Sequence, residues 1–174
     1  MTITEKTTSE FCIQDIEHFK RCCKEVLRDG GNGCNNIVIE LPRQHGKTSL
    51  AIMSALTALK DGKSVLYVTK TLAEASLVSQ RIIELLSFLK SGYASQCRFQ
   101  MRIGEGTLRI GAFPSAFGDV RKRECFFCGA TYNTVIFDEC DEMLSEDDER
   151  SLYFCTGILK GDILRFRGKD NDAV

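Results

Sequence analysis

The stretch Glu40-Leu-Pro-Arg-Gln-His-Gly-Lys-Thr-Ser49 constrains this chain most, because of what flanks it. Before it, Asn36-Ile-Val-Ile-Glu-Leu41 is short, β-branched and apolar, which predicts a strand buried on both faces. After it, Thr48 to Lys60 predicts a helix stopped by Asp61-Gly62. A loop that passes from strand to helix presents backbone N–H groups at the positive end of the helix dipole, and anions bind there. Gly46 permits close backbone approach, Lys47 offers an ammonium to the β and γ phosphates of a nucleotide, and Thr48 offers a hydroxyl to Mg²⁺. Gln44, His45 and Ser49 complete the candidate nucleotide-binding set, with His45 packing or capping in the loop rather than acting as a base. The general pattern G-x-x-x-x-G-K-[ST] is met except at its first glycine, where this chain has Leu41.

The same alternation continues. Ser64-Val-Leu-Tyr-Val-Thr69 predicts a second strand, Leu72 to Leu89 a second long helix, and Thr134-Val-Ile-Phe-Asp138 a third buried strand. Arg98 to Ile103 and Thr107 to Gly111 flank Gly104-Glu105-Gly106, the signature of a hairpin, and Leu152 to Thr156 reads as a fourth strand. Phe11, Ile13, Ile16, Phe19, Cys23, Val26 and Leu27 recur at helical spacing and predict an amphipathic helix before Gly30-Gly31. Strands alternating with helices predict an α/β fold with a parallel sheet and helices on its faces. The expected organisation is a tail over residues 1–10 followed by a single domain over 11–174.

Composition excludes several alternatives. With 174 residues, 43% hydrophobic and 27% charged, the chain can bury about 70% of its unfolded surface and needs no disulfide or metal scaffold. Its apolar runs are too short and too interrupted to span a bilayer, and its first ten residues lack the apolar core of a signal peptide. Nine cysteines, an odd number, suit a reducing compartment, so the expectation is a soluble intracellular protein, in host cytoplasm or nucleus if viral. Cys125-Phe-Phe-Cys128 has zinc-ligand spacing that Cys97 or Cys140 could complete, although buried cysteines also serve as small apolar residues. The near-zero net charge hides an asymmetry. Arg98, Arg102, Arg109, Arg121, Lys122 and Arg123 form a basic stretch, and eight carboxylates lie between Asp138 and Glu149 without a base. That pattern suggests a rim for phosphates and a patch for a cation.

Asn133-Thr-Val-Ile-Phe-Asp-Glu-Cys-Asp-Glu142 is the second informative segment. An acid at the carboxyl end of a buried strand lies where open α/β sheets bind ligands. Asp138 can then hold Mg²⁺ through water, and Glu139 can orient or deprotonate an attacking water.

With Pro42-Arg-Gln-His-Gly-Lys-Thr48, Ser64-Val-Leu-Tyr-Val-Thr69 and Gly106 to Arg121 in order before the acidic motif, residues 36 to 143 resemble the ATPase domain of the terminase large subunit. Terminases are the DNA-packaging motors of tailed phages and herpes-like viruses. The resemblance implies a RecA-like P-loop NTPase with a central, mainly parallel sheet flanked by helices, using ATP and Mg²⁺. It implies that Arg43 contacts the γ phosphate, that Lys47, Thr48 and Asp138 serve phosphate and metal, that Glu139 is the catalytic carboxylate, and that Gln14 contacts adenine. Arg121 would lie beside the nucleotide, and Phe154-Cys-Thr-Gly157 would be the remnant of a coupling motif. The implied partners are double-stranded DNA, portal or other packaging proteins, and further copies of the chain in an active homo-oligomer. The family's nuclease domain has no counterpart in these residues. Asp138-Glu-Cys-Asp-Glu-Met-Leu144 also resembles the acidic motif of DEAD-box helicases, so a helicase domain and a non-catalytic nucleotide-binding module are the alternatives.

Overall fold

In the computed structural model, which describes residues 35–42, 44–89, 94–97, 99–113, 130–146, 148–149, 152, 156 and 159–169, seven strands form one sheet. They are β1 (Asn35–Pro42), β2 (Ser64–Thr69), β3 (Ala94–Cys97), β4 (Gln100–Ile103), β5 (Gly106–Ala112), β6 (Thr134–Asp138) and β7 (Asp162–Lys169). Two helices, α1 (Lys47–Lys60) and α2 (Leu72–Phe88), follow β1 and β2. The spatial order is β1-β7-β6-β2-β5-β4-β3. The first five are mutually parallel, and β4 and β3 add an antiparallel margin.

Period-two alternation sorts the central side chains onto two faces. Val65, Tyr67, Ile136, Leu164 and Phe166 face a core that α1 covers with Ala51, Ile52, Ala55 and Leu59, and α2 with Ala75, Val78, Ile82 and Leu86. Leu66, Val68, Val135, Phe137 and Ile163 face the other side, where they pack with Phe113, Tyr132, Cys140 and Leu152. Every residue of β6 is buried, as a strand between two parallel neighbours requires.

Local chemistry sets the helix ends. Gly62, at φ 75°, closes α1: its N–H reaches Leu59 O at 3.0 Å, and Lys63 N–H reaches Ala58 O at 3.0 Å. That bonding pattern uses a left-handed residue just past the helix. Thr71 and Glu74 start α2 by exchanging side-chain-to-backbone hydrogen bonds of 3.2 and 2.9 Å, satisfying two amides that the first turn leaves without partners. Where β5 begins, Gly106 lies against the end of α1, and a Cβ built on it would sit 2.3 Å from Leu59 O. Gly106→Ala is therefore expected to destabilise the fold by about 1–3 kcal/mol, measured by urea unfolding.

Two expectations change. The first strand is the sheet's margin among the described residues, with only Ile37 buried, because β7 is its one neighbour. Leu152 and Thr156 are helical, not extended, and the Thr156 hydroxyl donates to Leu152 O one helical turn back. The strand that follows β6 in the chain is instead β7, which enters between β1 and β6. The predicted tail and first helix, Gln14, Arg43, Arg121 to Arg123, Cys125 and Cys128 lie outside the described residues. No described helix is long and apolar enough to cross a membrane.

Candidate active site

The carboxyl ends of the parallel strands lie along one edge of the sheet, with Pro42 opposite Lys169 and Asp138 flanked by Phe166 and Thr69. β1 leaves this edge through a tight loop in which His45 N–H reaches Pro42 O at 3.4 Å. Gln44 at φ 63° and Gly46 at φ 77° both take left-handed backbone. Gln44, His45, Gly46 and Ser49 are exposed, and Thr48 is half-buried. Gly46 caps α1 without a side-chain hydrogen bond, and no acid occupies the first turn of the helix, so neither a cap nor a first-turn carboxylate competes there with an incoming anion.

Lys47, only 6% exposed, turns back across the loop. Its ammonium donates to Pro42 O at 3.0 Å and Leu41 O at 3.3 Å, and pairs with Glu139 Oε1 at 3.0 Å. Leu41, which stands where the general motif has glycine, thus contributes a backbone carbonyl to the site. Glu139 is 53% exposed and holds φ 56°, an unfavourable region for a side chain with a Cβ. Its N–H bonds to Phe166 O at 2.9 Å, so the turn leaving β6 is tied to β7. Backbone strain of this kind persists where the surroundings fix it, and such places are often functional.

Asp138 is buried. Its Oδ2 accepts a 2.8 Å hydrogen bond from the Tyr67 hydroxyl, while Oδ1 has no hydrogen-bond partner among the described residues. Burial is the largest influence and raises the Asp138 pKa, and the nearby Glu139 and Glu74 charges add to it. The Tyr67 and Thr48 hydroxyls favour the charged form and offset part of the rise, although no hydrogen bond from Thr48 reaches Oδ1. Burial, then the Asp138 charge, holds the Tyr67 phenol well above its ordinary range, so it remains a donor.

Linkage gives this a measurable sign. A carboxyl whose folded pKa exceeds its unfolded value holds its proton more tightly when folded. The stability it contributes is present below the ordinary carboxylate range and is lost as pH rises through the raised value. At neutral pH the unfolded carboxyl is charged, so folding must either desolvate that charge or take up a proton, and both cost stability. Asp138→Asn is therefore expected to melt above wild type at neutral pH, with the gap closing as pH falls towards 4, about the ordinary Asp value. A variant that melts below wild type at neutral pH contradicts this.

A cleft of about 410 Å³ opens beside these groups, lined by Thr48, Asp138 and Glu139, by Glu74 and Arg81 of α2, and by Arg167 of β7. Asp141, in the 3₁₀ turn Asp141–Met143, accepts from Arg167 Nε at 2.7 Å and lies 3.6 Å from Arg165. Arg165 is itself buried, forks onto Glu149 through two 2.8 Å bonds, and donates to Asn36 at 2.8 Å. The acidic run therefore divides. Asp138 and Glu139 face the loop, whereas Asp141 and Glu149 are occupied by arginines of β7.

The residues present fit Mg²⁺. Thr48 and a buried carboxylate oxygen without a partner share one wall, and Mg²⁺ takes one or two protein oxygens, with waters and substrate phosphates supplying the rest. Among the described residues no group of three or more His, Cys, Asp or Glu could hold a metal ion. Cys140 belongs to the second core, where its thiol donates to Val68 O at 3.4 Å and burial pushes its pKa up, leaving it a poor zinc ligand. Tyr67, Asp141, Arg165 and Arg167 were not among the residues expected from sequence. The alternation of Leu164 and Phe166 with Arg165 and Arg167 was the available signal for β7.

No family model matches the chain, and no curated protein matches it in sequence. Solved structures do. The large terminase ATPase domain of Thermus phage P74-26 superposes with a TM-score of 0.58 at 17% identity, over 81% of this chain and 62% of that one. The large terminase of bacteriophage HK97 gives 0.60 at 11% identity, over 78% of this chain and 29% of that one. A large terminase from a thermophilic bacteriophage, in complex with ADP, gives 0.54 at 14% identity, over 77% of this chain and 33% of that one. The chain thus spans less than two thirds of the P74-26 domain and about a third of the other two proteins. Its RecA-like α/β fold is that of phage large terminase ATPase domains.

Proposed function

We propose that the chain is a Mg²⁺-dependent ATPase of the terminase motor type, acting on duplex DNA. The observation that supports this reading is the 3.0 Å pairing of Lys47 with Glu139, which brings the loop after β1 and the acid after β6 to one point although β7 separates their strands. In this reading the α1 amides and the Lys47 ammonium bind the β and γ phosphates, with Gln44, His45, Gly46 and Ser49 shaping the loop around them. Phosphate oxygens compete with Glu139 for Lys47. The carboxylate they release accepts the proton of the attacking water. Thr48 and Asp138 would hold Mg²⁺, which neutralises charge developing on the phosphates. Arg43 at the γ phosphate and Gln14 at adenine remain part of the proposal through the terminase resemblance, as do the DNA, portal and self-association partners.

Steady-state hydrolysis by the purified chain tests this. The expected result is turnover that requires Mg²⁺ and rises with duplex DNA more than with single-stranded RNA. Stronger stimulation by RNA points to the helicase alternative. Mg²⁺-dependent ATP binding without turnover, with or without DNA, points to a nucleotide-binding module.

A further inference from the structure

We infer that Tyr67 is a positioning residue for the Asp138 carboxylate, holding Oδ2 in the core so that Oδ1 stays directed to the cation that Asp138 serves. The inference rests on the nucleotide-site reading above and adds to it a residue from a different strand. Tyr67 lies on β2 opposite Ile136 of β6, and Asp138 is two residues further along β6 on the same face. Such diagonal neighbours lie about 7–8 Å apart, within reach of an aromatic side chain and beyond a serine or threonine hydroxyl. The ring is fully buried in the core that α1 and α2 cover, so the phenol has little freedom to move. Its 2.8 Å bond is the one hydrogen bond given to the Asp138 carboxylate among the described residues, and it goes to a single oxygen.

That asymmetry carries the inference. A carboxylate held only by its strand can rotate about χ2 and exchange its oxygens. Anchored at Oδ2, it cannot. The remaining oxygen is fixed on the wall shared with Thr48. A tyrosine needed only for packing would be served equally by phenylalanine in the same space.

Tyr67→Phe separates the two roles. Equilibrium binding of a methylanthraniloyl ATP analogue is titrated with Mg²⁺, and EPR of Mn²⁺ in the presence of ADP counts the bound ion directly. Melting and Mg²⁺-free analogue binding report whether the fold and the phosphate loop survive. The expected result is an Mg²⁺ midpoint about tenfold higher and correspondingly weaker Mn²⁺ binding, the scale of one charge-assisted hydrogen bond, with Mg²⁺-free binding unchanged. Tyr67→Leu, which also lacks the hydroxyl but fills the site differently, is expected to show the same shift at a temperature where it is folded. An unchanged Mg²⁺ midpoint in either folded variant overturns the inference while the nucleotide site stands. Equal weakening with and without Mg²⁺ also overturns it, because that marks a structural role. Wild-type binding that ignores Mg²⁺ overturns the metal-site reading itself, and this inference with it.

Discussion

Lys47→Ala is expected to lower ATP affinity by about 100-fold or more, measured by equilibrium binding in Mg²⁺. The phosphates lose at least one charge-assisted hydrogen bond and a full opposing charge, and two bonds at about 1.5 kcal/mol each correspond to that factor. The α1 amides that remain carry only about half a unit of charge between them. The substitution also releases the Leu41 and Pro42 carbonyls and Glu139 from the ammonium that joins them. Because Glu139 is half exposed and can turn to water, the fold should survive, and a circular dichroism melt verifies this. Affinity within threefold of wild type would remove Lys47 from the nucleotide site.

Glu139→Gln is expected to bind ATP within a few-fold of wild type and to hydrolyse it about 10²–10⁴ times more slowly, the usual range for loss of a general base. Glutamine keeps the length of the side chain and tolerates the left-handed backbone about as well as glutamate. It cannot take up the proton from water. It also pairs more weakly with Lys47, so phosphate meets less competition and the binding arm should not suffer. Single-turnover measurements with radiolabelled ATP separate the chemical step from binding. Turnover at the wild-type rate sinks the assignment of Glu139 as base.

Much of this architecture is legible without coordinates. β2 and β6 are short apolar runs with a turn signal at each end, and a strand covered on both faces needs little else to be recognised. The loop is legible because Gly46, Lys47 and Thr48 stand between a strand and a helix, and Asp138 because it terminates an apolar strand. β7 is hidden by its arginines. Buried arginine looks like exposed arginine in sequence, and only the fold supplies Glu149, Asn36 and Asp141 as partners. The same pairing explains why the acidic run reads as one patch, since the bases that divide it come from a strand that the local pattern conceals. β1 reads as a central strand because isoleucine and valine report strand propensity, whereas position in a sheet is a tertiary property. Tyr67 gives no signal at all, because a core tyrosine and a tyrosine that anchors a carboxylate have the same local pattern.

The order in which the strands are synthesised differs from their order in space. β1 is made first of the seven and β7 last, yet among the described strands β1 pairs only with β7. On a nascent chain, which emerges from its N-terminus, the loop bearing Lys47 therefore has no sheet position relative to Glu139 until residues 162–169 appear. A ribosome that stalls before Asp162 leaves the two halves of the site on one polypeptide but without the strand that joins them. Assembly of the catalytic edge depends on a contact of very long sequence separation, which favours slow closure after the β2–β6 core has formed. The last of these seven strands to be made thus completes the wall on which the first chemical groups are mounted.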